Sequence, residues 1–145
     1  MLPRWHIFLG MVFTFLIWIL MPETNIYYLS LVFLSSFMID FDHYMCSVMK
    51  TGTFSLKRAF VYHKKEAIKQ ERERNKGIRR RGDFHLFHTL EFHALLFLIG
   101  IYFTPFLYIF IGMTFHSILD IFYLIYHGYL YRREFLFVNW IRKKF

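Results

Sequence analysis

Neither lysine nor arginine occurs in residues 5–49, and neither occurs again in residues 82–131. A soluble helix returns a polar or charged face to water at every turn or two, so stretches of this length without a cation are incompatible with most soluble folds. The 18 Lys and Arg residues, against 10 Asp and Glu, are gathered instead in three places. Arg4 opens the chain, a block runs through residues 50–81 from Lys50 to Arg81, and Arg132, Arg133, Arg142, Lys143 and Lys144 close it. Basic blocks alternating with long apolar runs are the pattern of a multi-span membrane protein whose basic loops lie on the cytoplasmic side. Composition agrees, since 57% of the 145 residues are hydrophobic and 20 are Phe, against about 45–50% apolar in an ordinary soluble domain. That excess excludes a disordered chain and argues against a water-soluble globule. The basic residues stand beside apolar runs rather than on a soluble surface, so no nucleic-acid partner is expected. Cys46 is the single cysteine, which excludes an internal disulfide and a cysteine-rich zinc site.

Four apolar runs divide the chain into one all-α membrane domain, residues 1–145, with spans at about 5–21, 26–43, 84–103 and 106–126. Pro22-Glu23-Thr24-Asn25 separates the first two, and Thr104-Pro105 is the strong breaker within the second apolar half. Arg4 and the first run resemble a signal peptide, but no small-residue cleavage site follows, so the run is read as a retained span. The residues between spans two and three, 50–82, form a basic cytoplasmic loop. Its middle reads either as a solvated helical linker or as an amphipathic helix on anionic headgroups. This arrangement places both termini in the cytoplasm and makes membrane lipids the expected partners.

Ionisable residues remain inside the apolar runs, and these carry the functional expectation. Asp40, Asp42 and His43 close span two; His85, His88, Glu91 and His93 open span three; His116 and Asp120 lie within span four. Charged groups at membrane depth are costly and commonly mark a site in the bundle interior. At ~1.5 Å rise per residue, His116 and Asp120 lie ~15 and ~21 Å below the outer surface, while His88 and Glu91 lie ~6 and ~10 Å above the inner edge. All three groups therefore converge on the cytoplasmic half. Asp40 and His43 are spaced i, i+3; His85, His88 and Glu91 form an i, i+3, i+6 row; His116 and Asp120 are spaced i, i+4, so each set is expected on one helix face. Imidazole and carboxylate donors from facing helices suit divalent ions, zinc ahead of manganese or iron, and seven candidate ligands from three helices suit a dinuclear or larger cluster. Asp42 and His93 point elsewhere on their helices, which suits Asp42 to an outer position behind the ligands and His93 to packing. His6, His63 and His127 are expected to pack as well.

Asp40-Phe41-Asp42-His43, His88-Thr89 and the segment Gly112-Met113-Thr114-Phe115-His116-Ser117-Ile118-Leu119-Asp120 together resemble the YdjM-like family of inner-membrane-bound, metal-dependent hydrolases. The resemblance covers about half of the chain and leaves out the basic loop. It implies a small membrane bundle in the inner membrane, with Asp40, Asp42, His43, His88, His116 and Asp120 at the metal. The chain departs from the family pattern at Asp83, where a His-Arg-Gly step is expected, and His85 is the nearest histidine. Either His85 substitutes from the next turn, or the chemistry of this branch differs.

These readings lead to a metal-dependent hydrolase acting on a phosphoester or lipid-linked substrate at the cytoplasmic leaflet, with Glu91 as the general base. The alternative is a non-catalytic membrane protein whose His/Asp cluster is structural and whose basic loop binds lipid or a partner. Transport of protons or metal ions is disfavoured, because the outer halves of the runs contain almost no polar residues.

Overall fold

The computed structural model describes residues 3–144, which are predominantly helical, with no strand among them. Seven α-helices follow in order: α1 Pro3–Leu20, α2 Ile26–Met38, α3 Phe41–Thr51, α4 Leu56–Asn75, α5 Leu90–Tyr102, α6 Thr104–Tyr126 and α7 Phe137–Lys144. Short 3-10 turns at Leu86–His88 and Leu130–Arg132 precede α5 and α7.

The helix ends follow from local chemistry. α1 stops just before Met21-Pro22, because a proline disfavours helix in the residue before it. Asn25 then caps α2, its side-chain oxygen accepting from the Tyr27 N–H at 2.8 Å. α3 closes on Gly52, whose φ of +68° is the left-handed conformation glycine adopts most readily. α5 and α6 meet at Phe103, with Pro105 in the first turn of α6, where its missing N–H costs nothing.

α6 is the central helix and packs against α2, α5 and α1, while α4 packs on α3. Small residues set these approaches. A Cβ on Gly112 would overlap the Val32 carbonyl oxygen and Ser35 Oγ, and one on Gly10 would overlap Ser36 Oγ. Close helix contact through Gly and Ser is the mode used where lipid, rather than water, surrounds a bundle. Gly112→Ala is therefore expected to force α2 and α6 apart and to destabilise the protein by about 1–3 kcal/mol. Thermal unfolding in detergent measures this, and an unchanged midpoint would remove the close-packing argument.

The interior and exterior are inverted relative to a soluble domain. Buried polar residues, including His6, Ser36, Ser47, Thr89 and His116, outnumber buried apolar ones among the described residues. Large apolar side chains such as Phe15, Leu20, Leu98, Phe122 and Tyr126 are exposed instead. A small apolar core of Ile39, Leu96 and Met113, flanked by Phe87, Phe92, Ile109 and Phe110, lies beside the polar centre.

The four expected spans are met unevenly. Among the described helices α6 alone is both long and apolar enough to cross a membrane, and only 22% of its most apolar window is buried, unlike the core helix of a soluble protein. α1 and α5 are apolar but shorter. The run expected at 26–43 is broken after Met38, and its polar end begins a separate helix, α3. The run expected at 84–103 starts as a helix only at Leu90.

The basic segment folds as α4, capped at Ser55, with Ala59 its one buried residue. It is tied down along its length rather than left as a free linker. His63 Nε2 donates to the His43 carbonyl at 3.0 Å, and the Tyr62 hydroxyl donates to Asp83 Oδ2 at 2.7 Å. Arg132 meets Glu73 at 3.1 Å, and Arg74 donates to the His127 carbonyl at 3.0 Å. Burial and the Asp83 hydrogen bond push the Tyr62 hydroxyl pKa upward.

Candidate metal centre

Asp40 occupies the N-cap position of α3, where an aspartate ordinarily caps the helix, yet its side chain makes no cap hydrogen bond. Its carboxylate turns inward. Oδ1 lies 3.4 Å from His116 Nε2, 3.8 Å from His88 Nε2 and 3.5 Å from His43 Nε2.

His88 reaches the same point from a different kind of backbone. Thr89 is fully buried and caps α5 by accepting from the Phe92 N–H at 3.3 Å, while its own hydroxyl donates to the Leu86 carbonyl at 2.8 Å. The helix therefore starts at Leu90 and His88 belongs to the preceding 3-10 turn. This corrects the expected helical row. His85 and His88 converge on the centre, but Glu91 does not: its two carboxylate oxygens accept from the backbone N–H groups of Phe137 and Val138 at 3.0 and 3.3 Å. Glu91 thus caps α7 and is not positioned as a general base. The sequence spacing misplaced it because the helix restarts between His88 and Glu91.

His116 and Asp120 lie one turn apart on α6, with Nε2 and Oδ2 separated by 3.6 Å. Asp40, His88, His116 and Asp120 each offer a donor atom, and all four atoms lie within 4.8 Å of one another. A second group of Asp42, His43 and His88 adjoins it. The His85 ring lies against His43 at 3.7 Å between centroids, and its Nδ1 is 3.7 Å from Asp42 Oδ1. All seven expected ligands therefore gather in one place.

Outer hydrogen bonds decide which nitrogen of each imidazole faces inward. His116 Nδ1 lies 2.8 Å from the Ser36 carbonyl, which only accepts, so Nδ1 carries the proton. His88 Nδ1 lies 3.1 Å from Asp42 Oδ2, which also accepts from the Phe87 N–H at 3.0 Å. Asp42 thus stands behind His88, the outer position anticipated for it, and a carboxylate behind a histidine is a common support for a metal-binding imidazole. Both Nε2 lone pairs then point inward at each other across 3.4 Å. Two lone pairs at that distance repel unless a proton, shared with the neighbouring Asp40 and Asp120 carboxylates, or a metal ion lies between them.

Divalent ions satisfy that requirement. Four ligands at ~2.0–2.1 Å from a tetrahedral zinc lie about 3.3–3.4 Å from one another; the spacings that involve His88 or His116 run here from 3.4 to 3.8 Å, and all four donor atoms lie within 4.8 Å. The buried atoms Asp42 Oδ1 and His85 Nδ1 face each other at 3.7 Å, too far for a hydrogen bond, and have no hydrogen-bond partner. The donors therefore fit a metal ion, and the buried His/Asp groups could hold one.

Two residues at the centre were not anticipated. His6 of α1 is 1% exposed, stacks on the His116 ring at 3.8 Å between centroids, and places Nε2 3.2 Å from Asp120 Oδ1. It had been expected to pack. The available signal was Gly10, one turn further along α1, which brings that face of the helix against Ser36. Arg133 donates from Nη1 to Asp120 Oδ2 at 2.9 Å, reaching back from the segment after α6. The other histidines serve as hydrogen-bonded packing. His93 Nδ1 donates to the Thr89 carbonyl at 3.0 Å and Nε2 meets the Ser117 hydroxyl at 3.1 Å, while His127 Nδ1 donates to the Tyr123 carbonyl at 2.9 Å.

The fold and centre define a helical bundle with an apolar exterior and a buried His/Asp cluster. Comparison with family models, curated proteins and solved structures returned no match.

Proposed function

We propose that this chain is a membrane-embedded, metal-dependent hydrolase that acts on a phosphoester or lipid-linked substrate at the cytoplasmic leaflet. The single observation that carries the proposal is the pair of inward-facing Nε2 atoms of His88 and His116, with Asp40 and Asp120 completing the group. The resemblance of these motifs to the YdjM-like hydrolases supports the same reading. The apolar exterior favours a bundle of about four membrane-crossing helices, the shorter ones reaching across with their flanking turns. The basic face of α4 would then lie against anionic headgroups, and both termini would be cytoplasmic.

Asp40, His88, His116 and Asp120 would hold one divalent ion, zinc being favoured by the tetrahedral spacing, and His43, His85 and Asp42 offer donors for a second. Such an ion supplies acidification of a bound water and neutralisation of charge on the substrate oxygen. Asp42 fixes the His88 tautomer, the Ser36 carbonyl fixes that of His116, and Arg133 holds Asp120 in place. Of the first four donors Asp40 is the most exposed, its side chain 23% accessible, and with the neighbouring His43 at 33% it is where water would reach the centre. Purified protein analysed for metal and assayed for release of phosphate from lipid phosphoesters tests the proposal. Metal without turnover on a broad panel would favour a structural role, in which the ion ties α3, the turn before α5 and α6 together.

Orientation is tested by cysteine labelling. A cysteine placed at Lys65 should be shielded from an impermeant reagent outside the cell, and one at Thr104 should react. The native thiol leaves little background, because burial and the nearby Asp83 push the Cys46 pKa up to about 11. At pH 8 only about a thousandth of it is thiolate, the reactive form, and labelling grows as pH approaches that value. Outside labelling at Lys65 would overturn the orientation.

A further inference from the structure

A cavity of about 280 Å³ opens between α5 and α6 and ends against the metal centre. Its wall is apolar, formed by Leu90, Phe110, Ile118, Ile121 and Phe135, and His88 lies at its inner end. Two further polar residues line it, Arg133 and Thr114. Each carries a buried donor without a hydrogen-bond partner among the described residues, Arg133 Nη2 and Thr114 Oγ1. His93 and Ser117 also line the cavity, but they satisfy each other.

Leaving a guanidinium nitrogen and a hydroxyl buried and unpaired is costly, so the arrangement is understandable where a ligand completes it. Arg133 already uses Nη1 on Asp120. Its remaining nitrogen can only donate and the Thr114 hydroxyl can donate too, both now covered, so that a side-chain turn brings them to an acceptor in the cavity; the apolar wall excludes a wholly polar ligand. A tetrahedral oxyanion suits this setting better than a planar carboxylate. A phosphoryl group has oxygens enough to offer one to the guanidinium, one to the hydroxyl and one to the centre, whereas a carboxylate has two. The cavity lies just below the ~300–1,000 Å³ range of small-molecule pockets, a size that suits a headgroup and the first carbons of a chain.

We infer that Arg133 and Thr114 form the anion subsite of the centre and that the cavity between α5 and α6 admits the chain of an amphiphile whose phosphoryl group they bind. The inference rests on the hydrolase reading for its chemistry, but it is a statement about binding. Hexylphosphonate, an unreactive mimic, is titrated calorimetrically into the full-length protein in neutral detergent, with and without added zinc. Arg133→Gln is expected to weaken hexylphosphonate by about tenfold or more, the loss of a charged hydrogen bond. Thr114→Val, which leaves the Arg133–Asp120 pair intact, should weaken it several-fold. Ile118→Trp, which narrows the cavity, should weaken hexylphosphonate while leaving methylphosphonate unchanged. Equal affinity in wild type and Arg133→Gln overturns the subsite, as does hexanoate binding as tightly as hexylphosphonate. If Arg133→Gln fails to fold, the Thr114→Val comparison decides, and unchanged affinity there overturns the proposal. A wild type that takes up no metal overturns the hydrolase reading alone, because the arginine and threonine comparisons are still read in metal-free protein.

Discussion

Replacing His116 with Ala is expected to lower metal affinity by more than ~100-fold and to abolish turnover. The bound is set by what outer partners alone are worth, about 10–100-fold when a supporting group behind a ligand is removed. His116 is itself a donor and the hub of the cluster, its Nε2 lying within 3.4 Å of both Asp40 and His88. Its loss also leaves the Ser36 carbonyl without the imidazole donor and takes away the ring on which His6 stacks. Asp120→Ala should behave similarly, since it removes the shared partner of His6, His88, His116 and Arg133. Metal content by elemental analysis reads the effect directly, with circular dichroism confirming that the helices persist. Full metal content in His116→Ala would show that any ion binds elsewhere and would sink the site.

A second large effect is expected from Asp42→Asn, an almost isosteric change. Asp42 Oδ2 accepts from both the Phe87 N–H and His88 Nδ1, so one carboxylate fixes the 3-10 turn and the tautomer of the imidazole it carries. An amide retains one acceptor and brings two donors, one of which must face another donor or rotate away. Metal affinity should fall by about 10–100-fold without the complete loss seen for His116→Ala. A loss as deep as that of His116→Ala would make Asp42 a direct ligand, and an unchanged affinity would remove its orienting role.

The two variants separate what is legible in residue spacing from what is not. Asp40 with His43 and His116 with Asp120 are recognisable as pairs, because three and four residues return a helix to the same side. The same rule fails for Glu91. Thr89 caps a new helix after His88, and the change of backbone sends Glu91 toward α7 instead of the centre. The role of Asp42 behind His88 was foreseeable only as a position away from the ligand face. Its hydrogen bond required the turn at Leu86–His88 to be folded.

The sequence by itself determined that the chain is helical, that its exterior is apolar and that a few ionisable residues are enclosed within apolar runs. Those properties are local, following from residue type and from periodicity along one helix. Tertiary structure decided which enclosed groups meet. His6 lies far from Asp120 in the chain and Arg133 thirteen residues beyond it, and they reach it because α1 packs across small residues at Gly10 and because the chain turns back after α6. The inward direction of each imidazole was likewise set by partners on other elements, the Ser36 carbonyl on α2 and Asp42 on α3. Convergence across helices depends on close approach and on outer hydrogen bonds, neither of which leaves a periodic mark in one segment of sequence.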